Sequence, residues 1–368
     1  MDRTKWEYRK LEEVCEIEYG KRVVQQRDGG SIYPVYGGGD ATFRMDSYNR
    51  ENRVVVSRFA MSAKCTRKVN GKFFLNDSGL TLKATFPTLL QTYLDSCVLA
   101  LNDKIYLLGR GVAQKNLKVD ELLKVIIPIP QQVQQLAIVA ELDKLNELIA
   151  LKRKQLADLD SLAQSLFYEM FGDPVVNEKG WETKLLGEVA EPTIGLTYKP
   201  QNVKEDGTGI IVLRSCNIQE SELDFDDIVR VDLPIKDDKY VREGDILMCS
   251  RNGSFKLVGK VAMIPYLEQR MSYGAFMTVI RSKNNPYLFS YFKTQAFRNC
   301  LIQGKTTTVN QVTVKMLRDI CIPLPPLLLQ QSFASKIAKI EAEKQRVKSS
   351  LKDLETLLAS RMQYWFDS

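Results

Sequence analysis

The sequence contains no histidine. That absence removes the usual general base, the commonest metal ligand, and every Ser-His or Cys-His nucleophile arrangement. Its seven cysteines (Cys15, Cys65, Cys97, Cys216, Cys249, Cys300 and Cys321) are scattered, with no Cys-x-x-Cys pair. This argues against a disulfide framework and against a thiolate zinc site. No run of 18 apolar residues occurs and no signal peptide opens the chain, so a soluble, cytoplasmic protein is expected. The 45 carboxylates fall on helix faces and loops, with no paired setting visible. Nothing here supports an enzyme, and no cofactor is expected. What remains is a chain of 368 residues, 44% hydrophobic, enough for two or three domains with real cores. Its formal charge of +7 mildly favours a polyanionic partner.

What is present, it has twice. One stretch runs from Ile127-Pro128-Ile129-Pro130 to Phe171, and a second from Ile322-Pro323-Leu324-Pro325 to Phe366. Pro128 and Pro323, Gln135 and Gln330, Asp158 and Asp353, and Phe171 and Phe366 all share one offset of 195, so the register holds without a gap. Solenoid repeats recur every few tens of residues; a period this long means two similar halves. Stepping by four and three gives Ile138, Leu142, Leu145, Ile149, Lys152, Leu156, Leu159, Ala163, Leu166 and Met170. The second copy gives Phe333, Ile337, Ile340, Lys344, Val347, Leu351, Leu354, Leu358, Arg361 and Trp365. These are coiled-coil seams sustained for about five heptads, with one lysine facing into each. Each helix would be roughly 60 Å long. The prolines forbid backward extension, and Gly172 and Pro174 stop the first helix. Two seams of matched length offer each other an antiparallel partner within the chain.

The globular parts repeat as well. Trp6-Glu7, Leu11, Glu13, Val14 and Gly20 recur as Trp181-Glu182, Leu186, Glu188, Val189 and Gly195, at an offset of 175. The second globular part therefore carries 20 extra residues, the difference between the offsets of 195 and 175. Strands are expected at 32–36, 53–57, 72–75 and 124–129, with a helix from Leu89 that stops before Gly109. In the second part, strands are expected at 209–214, 245–250, 260–264 and 276–281, with one helix from Pro286 to Gln303. The fold class is α+β, or mixed α/β: two such domains, each followed by one long helix.

Two apparent motifs dissolve on inspection. Gly304-Lys305-Thr306 resembles the end of a phosphate-binding loop, but Asn299 stands where the first glycine belongs and a helix precedes it. Its counterpart is Gly109-Arg110-Gly111, so the repeated feature reads as a helix-capping glycine followed by a cation. Asn284-Asn285-Pro286-Tyr287 resembles the Asn-Pro-Pro-Tyr motif of adenine methyltransferases, but it lacks the second proline, and no glycine-rich loop for a methyl donor accompanies it. A helix start, with Asn285 as cap, explains it better.

More informative is a repeated strand exit. Ser57-Arg58 leads into a loop with Lys64, Arg67 and Lys68; Ser250-Arg251 leads into Asn252, Ser254 and Lys256. Such loops suit phosphate contacts and bidentate reading of guanine, although a solvated basic loop has the same composition. A second candidate site follows the glycine-cation doublets. It comprises Arg110, Gln114, Lys115 and Asn116 in one half, and Lys305, Thr306, Thr307, Asn310 and Gln311 in the other. Asn and Gln are the side chains that read adenine, and they are also common in loops.

The order of parts resembles the specificity subunit of type I restriction-modification systems over essentially the whole chain. The residues that carry this are Pro128 to Gln132, the helix ending Phe171-Gly172-Asp173, the second Pro323-Leu324-Pro325 and the two Trp-Glu openings. The second copy departs from the pattern at Pro326-Leu327 and Phe366-Asp367. The resemblance implies a first target-recognition domain at 1–126, a central conserved helix at 127–173, a second domain at 174–321 and a distal conserved helix at 322–368. It implies that each domain reads one half of a bipartite site in double-stranded DNA. It implies also that the antiparallel coiled coil, on an internal two-fold pseudo-repeat, separates the domains and docks two modification (methyltransferase) subunits. Motor and nuclease restriction subunits would join for cleavage. The chain itself would be non-catalytic. A DNA-processing enzyme with a degenerate active site and a coiled-coil protein-interaction adaptor are the alternatives. The broken phosphate loop generates a direct expectation: the purified chain hydrolyses no ATP, and Lys305→Ala changes nothing. An ATPase rate that disappears in that variant contradicts it.

Overall fold

The computed structural model describes residues 3, 6–112, 114–303 and 310–367. The chain forms two compact units, residues 1–155 with 347–368, and residues 156–346. Among the described residues no helix is long and apolar enough to cross a membrane.

The two long helices are Gln132–Phe171 and Leu327–Phe366, 40 residues each, with both ends offset by the 195 positions of the sequence repeat. Every position of both seams is buried or half-buried. Lys344 is buried, with its ammonium 2.8 Å from Asp160 and 3.2 Å from Glu341. Lys152 is only half-buried. Within the first unit, Arg361 pairs with Glu141 and Arg153 lies 2.7 Å from Glu355. Within the second, Phe333 packs on Phe171 at 4.9 Å between ring centroids. Low numbers in one helix meet high numbers in the other, so the pairing is antiparallel.

Each long helix ends in buried aromatic residues of a domain core. Trp365 and Phe366 are buried in the first unit with Trp6, Leu11, Tyr93 and Ile138. Phe167 and Phe171 are buried in the second unit with Leu186, Tyr287 and Phe333. The central helix stops where Gly172 takes φ +77°, a conformation that favours glycine. Trp181 Nε1 and Lys179 Nζ donate to the last-turn carbonyls of Phe171 and Glu169, at 2.8 and 2.6 Å. Before each helix, the repeated glutamine donates back to a proline carbonyl: Gln135 to Pro130 and Gln330 to Pro325, both at 2.7 Å.

The sequence repeats at the two ends of each globular part prove to be the two strands of one ladder. Glu7–Lys10 pairs antiparallel with Ile126–Ile129, and Thr183–Leu185 with Cys321–Pro323. Tyr93 Oη donates to the carbonyl of Pro128, and Tyr287 Oη to that of Pro323. Inside the first unit lies a six-stranded sheet ordered Cys15–Tyr19, Gly79–Ala84, Arg50–Ser57, Thr66–Leu75, Tyr33–Tyr36 and Arg44–Met45. The second unit repeats the first four places as Glu191–Ile194, Met277–Arg281, Ile246–Cys249 and Val261–Met263. It adds a second four-stranded sheet, Val203–Lys204, Val229–Val231, Ile210–Leu213 and Met271–Tyr273.

Several local expectations need correction. The strand expected at 72–75 runs Thr66–Leu75; its partner Arg50–Ser57 carries an irregularity at Asn52, φ 48°, that breaks the sequence alternation. The helix expected from Pro286 to Gln303 is two helices, Asn285–Phe292 and Gln295–Gln303. Thr294 divides them: its hydroxyl donates to Tyr291 O and accepts from Phe297 N, capping the second. Asn284 is the N-cap residue there, while Asn285 turns inward and donates to the carbonyls of Gly244 and Ile280. Gly109 does not cap a helix; it opens a two-residue strand, Gly109–Arg110, paired with Asn116–Leu117.

Asp95, on the helix Gln91–Ala100, is 9% exposed beneath the first sheet. Burial pushes its carboxyl up to about 6, against an ordinary value of 3.8, although Gln91 Nε2 donates to it at 2.8 Å. A raised carboxylate pKa means the folded state binds a proton more tightly than the unfolded chain. The resulting penalty is absent below about pH 4, grows as pH rises, and is complete above about pH 6. Asp95→Asn should therefore stabilise the protein by up to about 3 kcal/mol at pH 8 and have little effect at pH 4. Urea unfolding at both pH values checks this; an equal effect at both would mean that the Asp95 carboxyl titrates in the folded protein as it does in the unfolded chain.

Candidate nucleic-acid interface

In both units a serine at a strand end turns inward and the next residue turns out. Ser57 is fully buried, and its hydroxyl donates to Gly38 O at 2.8 Å. Ser250 is 3% exposed and its hydroxyl bonds Thr278. Strand alternation then presents Arg58 and Arg251 at the rim of each sheet. Arg58 is fixed by its backbone, with N donating to Ser78 O at 2.9 Å and its carbonyl accepting from Leu117 N at 2.8 Å. Its Nη1 donates to Asp77 O at 2.9 Å, and its guanidinium carbon lies 4.5 Å from the Tyr19 ring centre and 4.9 Å from that of Phe59. Both rings are more than 40% exposed, so the arginine is clamped between aromatic faces that remain open to solvent.

The structure brings the two candidate sites of the first domain together. Met61 N donates to Lys115 O at 2.9 Å, Leu117 N to Arg58 O, and Ala60 N to Asn116 Oδ1 at 3.3 Å. Arg110 and Gln114 are exposed on the adjoining hairpin, and Lys115 Nζ sits 3.9 Å over the ring of Tyr106. Lys64 is exposed on the loop after the strand exit. Asn102 shapes that loop, donating to Ala63 O and accepting from Cys65 N and Thr66 N. The other two cations have internal partners. Arg67 donates to Gly38 O at 2.7 Å and lies 3.4 Å from Asp40; Lys68 lies 3.1 Å from Asp143 on the central helix.

The second domain repeats the construction. Val312 N donates to Ser250 O at 2.8 Å, Asn252 N to Asn310 O at 3.2 Å, and Arg251 and Gln311 form an isolated antiparallel bridge. Arg251 is exposed, with its guanidinium carbon 5.0 Å over Phe276. Arg251, Asn252, Gly253, Phe276 and Asn310 line an open pocket. Ser254 N donates to Asn252 Oδ1, while Lys256 is exposed on the short turn that follows. Lys305, Thr306 and Thr307 lie outside the described residues. Among the described residues no cluster of His, Cys, Asp or Glu could hold a metal ion.

Sequence reasoning missed Tyr19 and Phe276, because nothing in local composition says that an aromatic ring will lie beside a distant arginine, and it missed Phe59, which directly follows Arg58. It also missed the polar segments after Gly20 and Gly195, where Lys21, Arg22 and Lys199 are exposed. A signal existed: both glycines belong to the repeated opening. A Cβ on Gly20 would lie 1.8 Å from Asn76 O, and one on Gly195 would lie 2.2 Å from Gly274 O. These close approaches turn each chain onto the same rim as the arginine.

The geometry has matches among known proteins. The family model for the type I restriction modification DNA specificity domain matches residues 3–161 and again residues 178–354. The chain is 27% identical over 191 residues to the type I restriction enzyme EcoKI specificity subunit of Escherichia coli (strain K12), covering 49% of this chain and 40% of that protein. It is 22% identical over 277 residues to the putative type I restriction enzyme MjaX specificity subunit of Methanocaldococcus jannaschii, covering 69% and 63%. The matched stretches thus span less than two thirds of those relatives. The fold is shared with the type I restriction-modification S subunit from M. genitalium at a TM-score of 0.60 and 16% identity, covering 99% of this chain and 96% of that one. It is shared also with a chain from a structural study of type I R-M system assembly and conformational transition, at a TM-score of 0.59, 17% identity and coverage of 97% and 96%. With the family pattern matched in both halves, over most of its length, this chain belongs to the type I restriction modification DNA specificity domain family.

Proposed function

We propose that this chain is the DNA-reading subunit of a type I restriction-modification complex. Each domain reads one half of a bipartite site in double-stranded DNA, and the helix pair sets the unread spacer and docks two modification subunits. Restriction subunits join for cleavage, and this chain contributes recognition rather than catalysis. The observation that carries the reading is the rim built twice: an inward serine, an outward arginine on an aromatic ring, and a second polar segment bonded alongside by its backbone. A catalytic site has no need to occur twice with different loops, whereas a bipartite duplex site presents two half-sites to be read. The division at 1–126, 127–173, 174–321 and 322–368 fits this reading, as do the exposed cations Lys64, Arg110, Arg251 and Lys256. Arg67 and Lys68, held by Asp40 and Asp143, fit a supporting role better than direct contact.

If Arg58 reads a base, Arg58→Ala should weaken specific binding by about 1–3 kcal/mol. The loss should be confined to one half-site, as measured with duplexes altered in either half. Equal weakening on every duplex would make Arg58 a phosphate contact. For the helices, matched seven-residue insertions after Leu156 and after Val347 should keep both seams in phase. Each adds roughly 10 Å of helix, so the spacer selected from a random duplex pool should lengthen by up to about three base pairs, at 3.4 Å each. An unchanged spacer in a folded, binding-competent double insertion would mean the helices do not measure the site.

A further inference from the structure

The pocket of the second domain contains three polar side chains, and their hydrogen bonding differs. Asn252 is satisfied at both ends of its amide: Nδ2 donates to Ser215 Oγ at 3.1 Å and Oδ1 accepts from Ser254 N at 3.0 Å. Asn310 uses Nδ2 to hold Gly253 O at 2.9 Å. These two bonds fix the plane of the Asn252 amide within its loop and leave one N–H and one lone pair over. Arg251 is different. Among the described residues no carboxylate or carbonyl reaches its guanidinium. The group is exposed and lies 5.0 Å over the face of Phe276, a ring itself 55% exposed. The backbone beneath it is fixed, with Arg251 N donating to Phe276 O at 3.1 Å and the residue bridged to Gln311. A planar donor fork with no internal partner, held on a ring at the mouth of a pocket, loses little freedom on binding a planar pair of acceptors.

We propose that this pocket is a guanine-edge site. Arg251 is its specificity-determining residue and donates to guanine O6 and N7; Phe276 is a positioning residue that holds the guanidinium plane. Asn252 and Asn310 shape the loop and read no base. The first domain holds Arg58 between Tyr19 and Phe59 in a related way, but there Nη1 is occupied by Asp77 O. The two domains are therefore not expected to present identical readers.

This inference rests on the proposed DNA-reading function, and one experiment separates the two. The full-length wild type and its Arg251→Ala, Phe276→Leu and Asn252→Ala variants are each used to select from a random duplex pool. Thermal melting checks that each variant folds. The wild type should enrich guanine at one position of one half-site. Arg251→Ala should lower that preference roughly 5- to 150-fold and leave the other half-site unchanged. Phe276→Leu should weaken the same preference by less, and Asn252→Ala should not change which base is preferred. Replacing that guanine by 7-deazaguanine, which lacks the N7 acceptor, should weaken the wild type but not Arg251→Ala. A guanine preference that survives Arg251→Ala overturns the inference. So does a uniform loss on all duplexes with the salt slope reduced by about one, which marks a phosphate contact. If the wild type enriches no bipartite sequence, the function reading itself fails.

Discussion

The core of the first domain is closed by the last residues of the chain. Trp365 lies 6.0 Å from Trp6 in a stacked arrangement, and Phe366 lies 5.4 Å from Tyr93. Phe167 and Phe171 do the same work in the second unit, against Tyr287. Truncating one buried aromatic of this size costs about 3–5 kcal/mol, a large part of a typical domain's net stability. The first unit is therefore not a contiguous segment, since it takes its aromatic plug from the distal helix, whereas the second, residues 156–346, runs on directly from the helix end that carries its plug. This explains why the helix register is kept without a gap while the globular parts differ by 20 residues. An insertion in a loop changes a surface, but a single-residue insertion in the helix would rotate its plug by about 100°.

The same constraint accounts for the polar fittings around the helix starts. Gln135 and Gln330 hold proline carbonyls that no helical N–H can reach, and Tyr93 and Tyr287 hold those of Pro128 and Pro323. Pro at these places removes a ladder donor and ends any backward helix, so the chain must pass from strand to helix at one defined residue. With that junction fixed, the strands Arg50–Ser57 and Ile246–Cys249 deliver Arg58 and Arg251 to comparable rims. What is then bonded alongside differs between the domains, and so do the aromatic rings beneath the arginines.

The long helices, their antiparallel pairing, the two-fold repeat and the mixed α/β class were all legible in the residues, because they rest on periodicity and on fixed offsets. A seam of apolar residues every 3.5 positions has one physical solution, and two such seams in one chain have an obvious partner. Turn chemistry was legible only in part. Gly172 behaved as its position suggested, whereas Gly109 did not cap a helix because it pairs with Leu117 in a hairpin, and Thr294 split a helix through bonds to Tyr291 and Phe297 on either side of it.

The candidate recognition residues divide along the same line. Their chemical types, and their recurrence after Ser57 and Ser250, belong to the sequence. Sequence by itself could not say that Arg67 and Lys68 face Asp40 and Asp143, that Asn252 is held by Ser215, or that Arg251 lies over Phe276 with no carboxylate or carbonyl on its guanidinium among the described residues. Those facts are set by side chains 25 to 75 positions apart. A hydrogen bond or a stacked ring acts only over a few ångströms, so which groups remain available to a ligand is decided when the sheet brings distant residues to one rim. Periodicity determined the helices and the repeat; contact alone decided which donors, among the described residues, keep no protein partner.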